Sequence, residues 1–176
     1  DAGGVRHGAD VVAALRSWSD QPIHSLVYTH GHLDHVGGSG AFIADAGSRG
    51  TARPRFLAHE ALLPRFDRYR TTSDWNILIN RRQFGGIIRR QDLGIGGTGP
   101  VFLPDDVAEP DETFGDTMSL EVGGHTIELR HARGETDDHV WGWDASRKSA
   151  FTGDFMAWVF PNAGNPQKVQ RYPIEW

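Results

Sequence analysis

An α/β fold with two sheets is what this sequence predicts, on three observations. The first half alternates short apolar runs with stretches of helical periodicity. The second half is β-rich, with strands following one another through short turns. Between them in logic, though early in the chain, a loop dense in metal-binding side chains leaves a strand: Thr29-His30-Gly31-His32-Leu33-Asp34-His35. Strand-helix-strand connections favour a parallel sheet, and hairpin-linked strands an antiparallel one. The expected architecture is therefore a sandwich of two sheets with helices outside. At 176 residues and 38% hydrophobic, residues 1–176 suffice for one domain with a sizeable core.

Each element has a local reason. Ala9 to Trp18 carries Val11, Val12, Leu15 and Trp18 at a helical period, with Asp10 placed well for the helix dipole. Pro22 closes the connection to a strand over Ile23 to Thr29, where Leu26, Val27 and Tyr28 form the apolar run. Gly37 and Gly38 permit a sharp turn after His35, and a short helix covers Ala41 to Ala46. Arg55 to His59 is a buried strand, and His59-Glu60 after it is a capped or solvated pair at a helix start. Ala61 to Tyr69 is helical with an interruption near Pro64, and Ser73-Asp74 caps a helix over Trp75 to Phe84. Residues 91 to 100, with four glycines, read as a plain loop, since no strand precedes them and no Gly-Lys-Ser/Thr follows. Met118 to Val122, Gly123-Gly124 and His125 to His131 form a hairpin. Val140 to Trp143 and Ser149 to Thr152 are two further strands.

The chemistry concentrates in the His-x-His-x-Asp-His run. A helix would spread these four side chains around its axis, and a strand would separate His35 from the rest. A loop leaving a strand can curl so that His30 and His32 meet one ion while Asp34 and His35 meet a second. Neutral imidazole and carboxylate are ligands that zinc takes at roughly 2.0–2.2 Å. The chain has no cysteine, so any metal sits on nitrogen and oxygen. A net charge of −5 argues against a nucleic-acid partner. No apolar run approaches the ~20 residues that a membrane helix needs. The compartment, cytoplasmic or periplasmic, is left open. Two further clusters supply candidate donors. One is the loop His131 to His139, with Glu135 and His139 in it, and the other is Gly153-Asp154 at a strand end. Arg81-Arg82 and Arg89-Arg90 are either a solvated face or a hold for an anionic group.

The His30-x-His32-x-Asp34-His35 loop after a strand resembles the metallo-β-lactamase fold family, which implies an αββα sandwich and two metals. In that resemblance Gly134-Glu135-Thr136 stands where most members have Gly-His-Thr, so Glu135 replaces an imidazole as third ligand of the first ion. His139, four residues on, is the rival ligand. Asp154 corresponds to the carboxylate that bridges both ions, which leaves Asp34, His35 and Asp154 for the second. Asp34 and Asp154 are the candidate catalytic residues. The Glu135-to-Asp154 interval of nineteen residues resembles the alkyl sulfatase branch, as do Asn80-Arg81-Arg82-Gln83-Phe84-Gly85 and the segment from Pro161 to Trp176. That branch implies Asn162 and Arg171 or Lys168 as holders of a sulfate, with Arg81 and Arg82 nearby. Two departures stand against it: Asp154 replaces a Glu, and Asp137-Asp138-His139 replaces Ala-Pro-Ala-Glu.

The expected function is zinc-dependent hydrolysis of a small anionic ester, a sulfate ester first. Two close cations can lower the pKa of a bridging water. A lactone, thioester, β-lactam or phosphodiester is the alternative substrate, and a non-catalytic zinc module is the third class. The resemblance also implies a chain truncated at both ends, with its first strands before residue 1 and a last histidine ligand beyond Trp176. The second zinc site is then incomplete here. A homodimer of the full-length protein is the remaining expectation about partners.

Overall fold

Ser25–Val27 (β1) pairs in parallel with Arg55–His59 (β2), and β2 in parallel with Glu112–Phe114 (β3). Thr117–Val122 (β4), His125–His131 (β5), Val140–Asp144 (β6) and Ser149–Phe151 (β7) form a second, antiparallel sheet in chain order. The helices are Gly8–Trp18 (α1), Leu33–Val36 (α2), Ser39–Ser48 (α3), Leu62–Thr71 (α4) and Ser73–Gln83 (α5). These elements come from a computed structural model that describes residues 1–83, 101–157 and 171–176.

Strand periodicity builds the layers. Leu26, Tyr28, Phe56 and Ala58 are buried on one face of the parallel sheet, against Val12 of α1, Val36 of α2, Phe42 of α3 and Leu62 and Phe66 of α4. The alternate residue Leu57, with Phe114, turns to the other face and meets Leu120, Leu129 and Val140 of the second sheet. This side-chain alternation is the period-2 geometry of a strand. Apolar residues of α1, α2, α3 and α4 thus lie together on the outer face of the first sheet. The far face of the second sheet instead carries Glu128 and Arg130, ion-paired at 2.6 Å, with Arg130 stacked over Trp141. Among the described residues, then, the layers are helix, sheet, sheet, and the expectation of helices outside both sheets is met on one side.

Several local expectations change. β1 is shorter than Ile23 to Thr29, because Tyr28 gives its N–H to Leu57 and Thr29 gives its own to Asp1, after which the chain leaves the sheet. The metal loop closes into a single helical turn, Leu33–Val36, opened by bonds from the N–H groups of His35 and Val36 to the His32 carbonyl and closed by one from Gly37 to Leu33. Pro64 does not interrupt α4. It sits in the first turn, where a missing N–H costs no hydrogen bond. Ser73 begins α5 instead of capping it, and its Oγ accepts the N–H of Phe102 at 2.8 Å. His59 does sit at a helix entrance, accepting the N–H of Ala61 at 3.2 Å, and its ring also stacks on His131 at 3.7 Å. The three-residue β3 was invisible to pattern reading, since Phe114 is its one buried residue. The hairpin turn is real: Gly123 and Gly124 have φ of 57° and 78°, which a two-residue turn with positive φ at both positions requires. Arg89, Arg90 and the loop 91–100 lie outside the described residues. No helix among the described residues is long and apolar enough to cross a membrane.

Candidate metal centre

The loop after β1 and the loop between β5 and β6 meet at the same end of the sandwich. They bring together His30 Nε2, His32 Nδ1 and a carboxylate oxygen of Glu135. His30 and His32 are 2.9 Å apart, and Glu135 Oε2 lies 3.5 Å from the first and 3.4 Å from the second. A tetrahedral ion with bonds of about 2.1 Å holds its ligands about 3.4 Å from one another. The two sides that run to Glu135 have that length, and the His30–His32 side is shorter. Glu135 Oε2 is buried with no hydrogen-bond partner, a costly state for a carboxylate oxygen unless a cation meets it. Two imidazoles and a carboxylate are also the donor chemistry zinc accepts, so these residues fit the metal that the sequence implied.

Electrostatics agrees. Burial pushes the His32 pKa down, against the opposing pull of Glu135. Burial would raise the Glu135 pKa, but the adjoining His30 and His32 imidazoles overcome it and hold the carboxyl ionised. Neutral imidazole beside carboxylate is the state a metal requires.

A second group of donors stands beside the first. His30, His35 and Asp154 each offer an atom within 4.8 Å of the others. His35 Nε2 is 3.4 Å from Asp154 Oδ1 and 3.6 Å from Asp34 Oδ2. The expected trio was Asp34, His35 and Asp154. In the structure Asp34 is 55% exposed and stands at the rim of the cluster, because it lies in the first turn of α2 and faces out of it. His35 has its pKa lowered by burial and raised further by Asp154 and Asp34, with a net rise.

His139, the rival ligand, belongs to neither group. Its ring lies flat on Phe155 at 3.9 Å and 4.6 Å from the His30 ring. Both its ring nitrogens are enclosed without partners, and burial, then the charge of His30, push its pKa down to about 3. Gly134 permits the packing there, since a Cβ would stand 2.5 Å from the Phe155 ring.

Asp1 orients both imidazoles that face the second group. Its Oδ1 accepts the N–H of Thr29 at 2.7 Å, and its Oδ2 accepts the Thr29 hydroxyl at 2.9 Å and His35 Nδ1 at 3.0 Å. With its proton given to Asp1, Thr29 Oγ1 is left to accept from His30 Nδ1, at 3.1 Å. Both rings therefore carry hydrogen on Nδ1 and turn Nε2 toward the donor clusters, the outer-shell arrangement that fixes a metal-binding tautomer. Pattern reading gave Asp1 no role. Nothing local marks it, as its partners lie 28 and 34 residues away.

A cavity of about 610 Å³ opens from the donors. His32, Asp34, Glu135 and Asp154 line one part, and Trp75, Ile79 and Phe102 add apolar wall. Arg68 lines it too and makes no ion pair among the described residues, while Arg171 lines it and ion-pairs with Glu135. Arg81 and Arg82 are exposed near the end of α5 and do not line it, so the helix directs them to solvent. Asn162 and Lys168 lie outside the described residues.

A two-sheet α/β sandwich bearing clusters of metal-ligating side chains at its strand ends is the general class. The chain belongs to the metallo-beta-lactamase superfamily, whose family model matches residues 1–157. It is 30% identical over 145 residues to a linear primary-alkylsulfatase of Pseudomonas sp. (strain ATCC 19151), an alignment covering 77% of this chain and 26% of that protein. Among solved structures it is similar to a metallo-beta-lactamase from Pontibacter korlensis, at 18% identity and a TM-score of 0.49, over 85% of this chain and 51% of that one. A beta-lactamase from Chitinophaga pinensis is similar at 23% identity and a TM-score of 0.47, over 81% and 44%. The chain thus spans about a quarter of the curated relative and about half of the first of these structures.

Proposed function

We propose that this chain carries the metal site of a zinc-dependent hydrolase acting on an anionic ester, with the sulfate ester of an alkyl chain as leading substrate. The carrying observation is the His30–His32–Glu135 triangle, with two sides of tetrahedral length and an unpartnered buried carboxylate oxygen at one corner. In this reading His30, His32 and Glu135 hold the first ion. His35, Asp34 and Asp154 hold the second, with Asp154 shared. When bound, such ions supply Lewis acidity and activate water as a nucleophile.

The chain's own groups do the rest. Asp34 and Asp154 put two carboxylates on the cavity wall, where each can accept a hydrogen bond from attacking water and orient it. Arg68 presents a guanidinium with no carboxylate partner among the described residues, suited to an anionic ester oxygen. Arg171 bears on Glu135 from the same wall and is placed to steady both that ligand and a sulfuryl group, with Asn162 and Lys168 as further candidates. Trp75, Ile79 and Phe102 suit an apolar leaving group. The similarity to an alkylsulfatase supports the choice of ester.

A substrate panel on the zinc-loaded full-length protein tests this. Alkyl sulfates should be cleaved, the activity should vanish with a chelator, and zinc should restore it. Cleavage of lactones, thioesters, β-lactams or phosphodiesters with alkyl sulfates untouched would overturn the sulfate reading and leave another ester class in its place. Metal binding without any hydrolysis would favour the non-catalytic module.

A further inference from the structure

The two loops that carry the first donor triangle are tied together at one place. Asp138 Oδ2 accepts the backbone N–H of Gly31 at 2.8 Å. Gly31 is the residue between His30 and His32, and Asp138 is three residues after Glu135. Asp138 Oδ1 lies 3.0 Å from Nη2 of Arg65 on α4, and the same guanidinium meets Asp137. The Arg65 side chain is 2% exposed and that of Asp138 is 0% exposed. The fit leaves no slack: a Cβ at Gly31 would stand 2.5 Å from Arg65 Cδ and 3.0 Å from Asp138 Oδ2.

A buried ion pair is a poor source of net stability, since desolvation offsets much of the attraction. What such a pair does well is fix geometry. Here it fixes the separation of two ligating segments whose donor spacing already matches a tetrahedral ion. His35 of the second donor group is held through Asp1, which with Thr29 also orients the shared His30, while neither touches Glu135. We infer that Asp138 and Arg65 are positioning residues that set the spacing of the His30–His32–Glu135 triangle, and of that triangle selectively. The inference rests on the proposed ligands of the first ion but on no choice of substrate.

The Asp138 carboxylate accepts the Gly31 N–H with one oxygen and faces the Arg65 guanidinium with the other, so Asp138→Asn is not conservative. Its amide NH₂ must face either the Gly31 N–H or the Arg65 guanidinium. Loss of an outer partner of metal ligands typically weakens affinity ~10–100-fold.

The test is a competition titration of the protein with zinc against a chromophoric chelator, resolving a tight and a weak step. Thermal melts of the metal-free variants accompany it. Asp138→Asn should weaken the tight step about 10–100-fold and leave the weak step nearly unchanged. Arg65→Met should do the same, and Arg65→Lys should recover part of the loss by keeping the charge. Should Asp138→Asn fail to fold, the Arg65 pair decides the matter alone. Equal weakening of both steps in proportion to lost melting temperature, or an unaltered tight step, would overturn the inference. Glu135→Gln in the same titration separates the two levels. If it leaves the tight step intact, the ligand assignment has failed; if it weakens that step while the Asp138 and Arg65 variants do not, the positioning role has failed.

Discussion

Replacing Asp1 by Asn should reverse the tautomer of His35 and weaken the second ion. A carboxylate can only accept hydrogen bonds, so Asp1 Oδ2, 3.0 Å from His35 Nδ1, places the ring proton there and leaves the Nε2 lone pair facing Asp154 at 3.4 Å. An Asn side chain keeps the bond from the Thr29 N–H with its carbonyl oxygen. Its NH₂ then faces Thr29 Oγ1 and His35 Nδ1, and a donor at that position turns Nδ1 into the acceptor. The proton moves to Nε2, the atom a metal needs bare. An outer-shell loss of this kind costs ~10–100-fold in affinity, or about 1.4–2.7 kcal/mol. The folded state exchanges charge-assisted hydrogen bonds for neutral ones, a loss of about 1 kcal/mol. Zinc titration of Asp1→Asn should therefore show the weak step displaced, with a smaller displacement of the tight step through Thr29 and His30, and ¹⁵N NMR of the neutral His35 ring should show the proton on Nε2. A weak step at its original affinity, with the proton still on Nδ1, would refute the tautomer reasoning.

Three further outcomes follow from particular contacts. Arg16 binds Asp45 with distances of 2.6–3.2 Å, joining α1 to α3, and this holds the Asp45 pKa below its ordinary 3.8. That contribution is complete above pH 3.8 and is lost as pH falls through the folded value, so the stability gap between wild type and Asp45→Asn in denaturant titrations should close below pH 3.8. Gly153 has a φ of 51°, and a Cβ there would lie 2.7 Å from Thr29 Oγ1 and 2.9 Å from His139 Nε2. Gly153→Ala should cost about 2–4 kcal/mol in urea unfolding, from backbone strain plus overpacking. Leu57 is fully buried between the sheets, and Leu57→Ala should lower stability by about 2–5 kcal/mol without shifting either zinc step by more than about twofold.

What the sequence revealed was what local pattern can encode. Arg55 to His59 shows as a strand because consecutive apolar residues are buried there on both faces, and the structure places β2 over the same residues. Gly123-Gly124 shows as a hairpin turn because only glycine takes positive φ twice in succession without strain. The His-x-His-x-Asp-His run shows as a metal loop because no packing role needs those donors so close. The tertiary supports were not legible. Asp1, Arg65 and Asp138 act across 28 to 107 residues of chain through single hydrogen bonds and an ion pair. Each alone is an ordinary charged residue. The partition of donors was also hidden: that His30 stands between both groups while Asp34 stays at the rim depends on how α2 turns after His32. The arginines divide between the two readings the sequence left open: the conspicuous Arg81-Arg82 pair is exposed, while the less conspicuous Arg68 lines the cavity.

The central claim is that Glu135, and not His139, completes the first site with His30 and His32. Anomalous diffraction at the zinc edge from crystals of the zinc-loaded protein tests it most directly. The account predicts a strong peak at roughly 2.0–2.2 Å from His30 Nε2, His32 Nδ1 and a Glu135 oxygen, with His139 still stacked on Phe155. A peak bonded to His139, with Glu135 turned away, would contradict it.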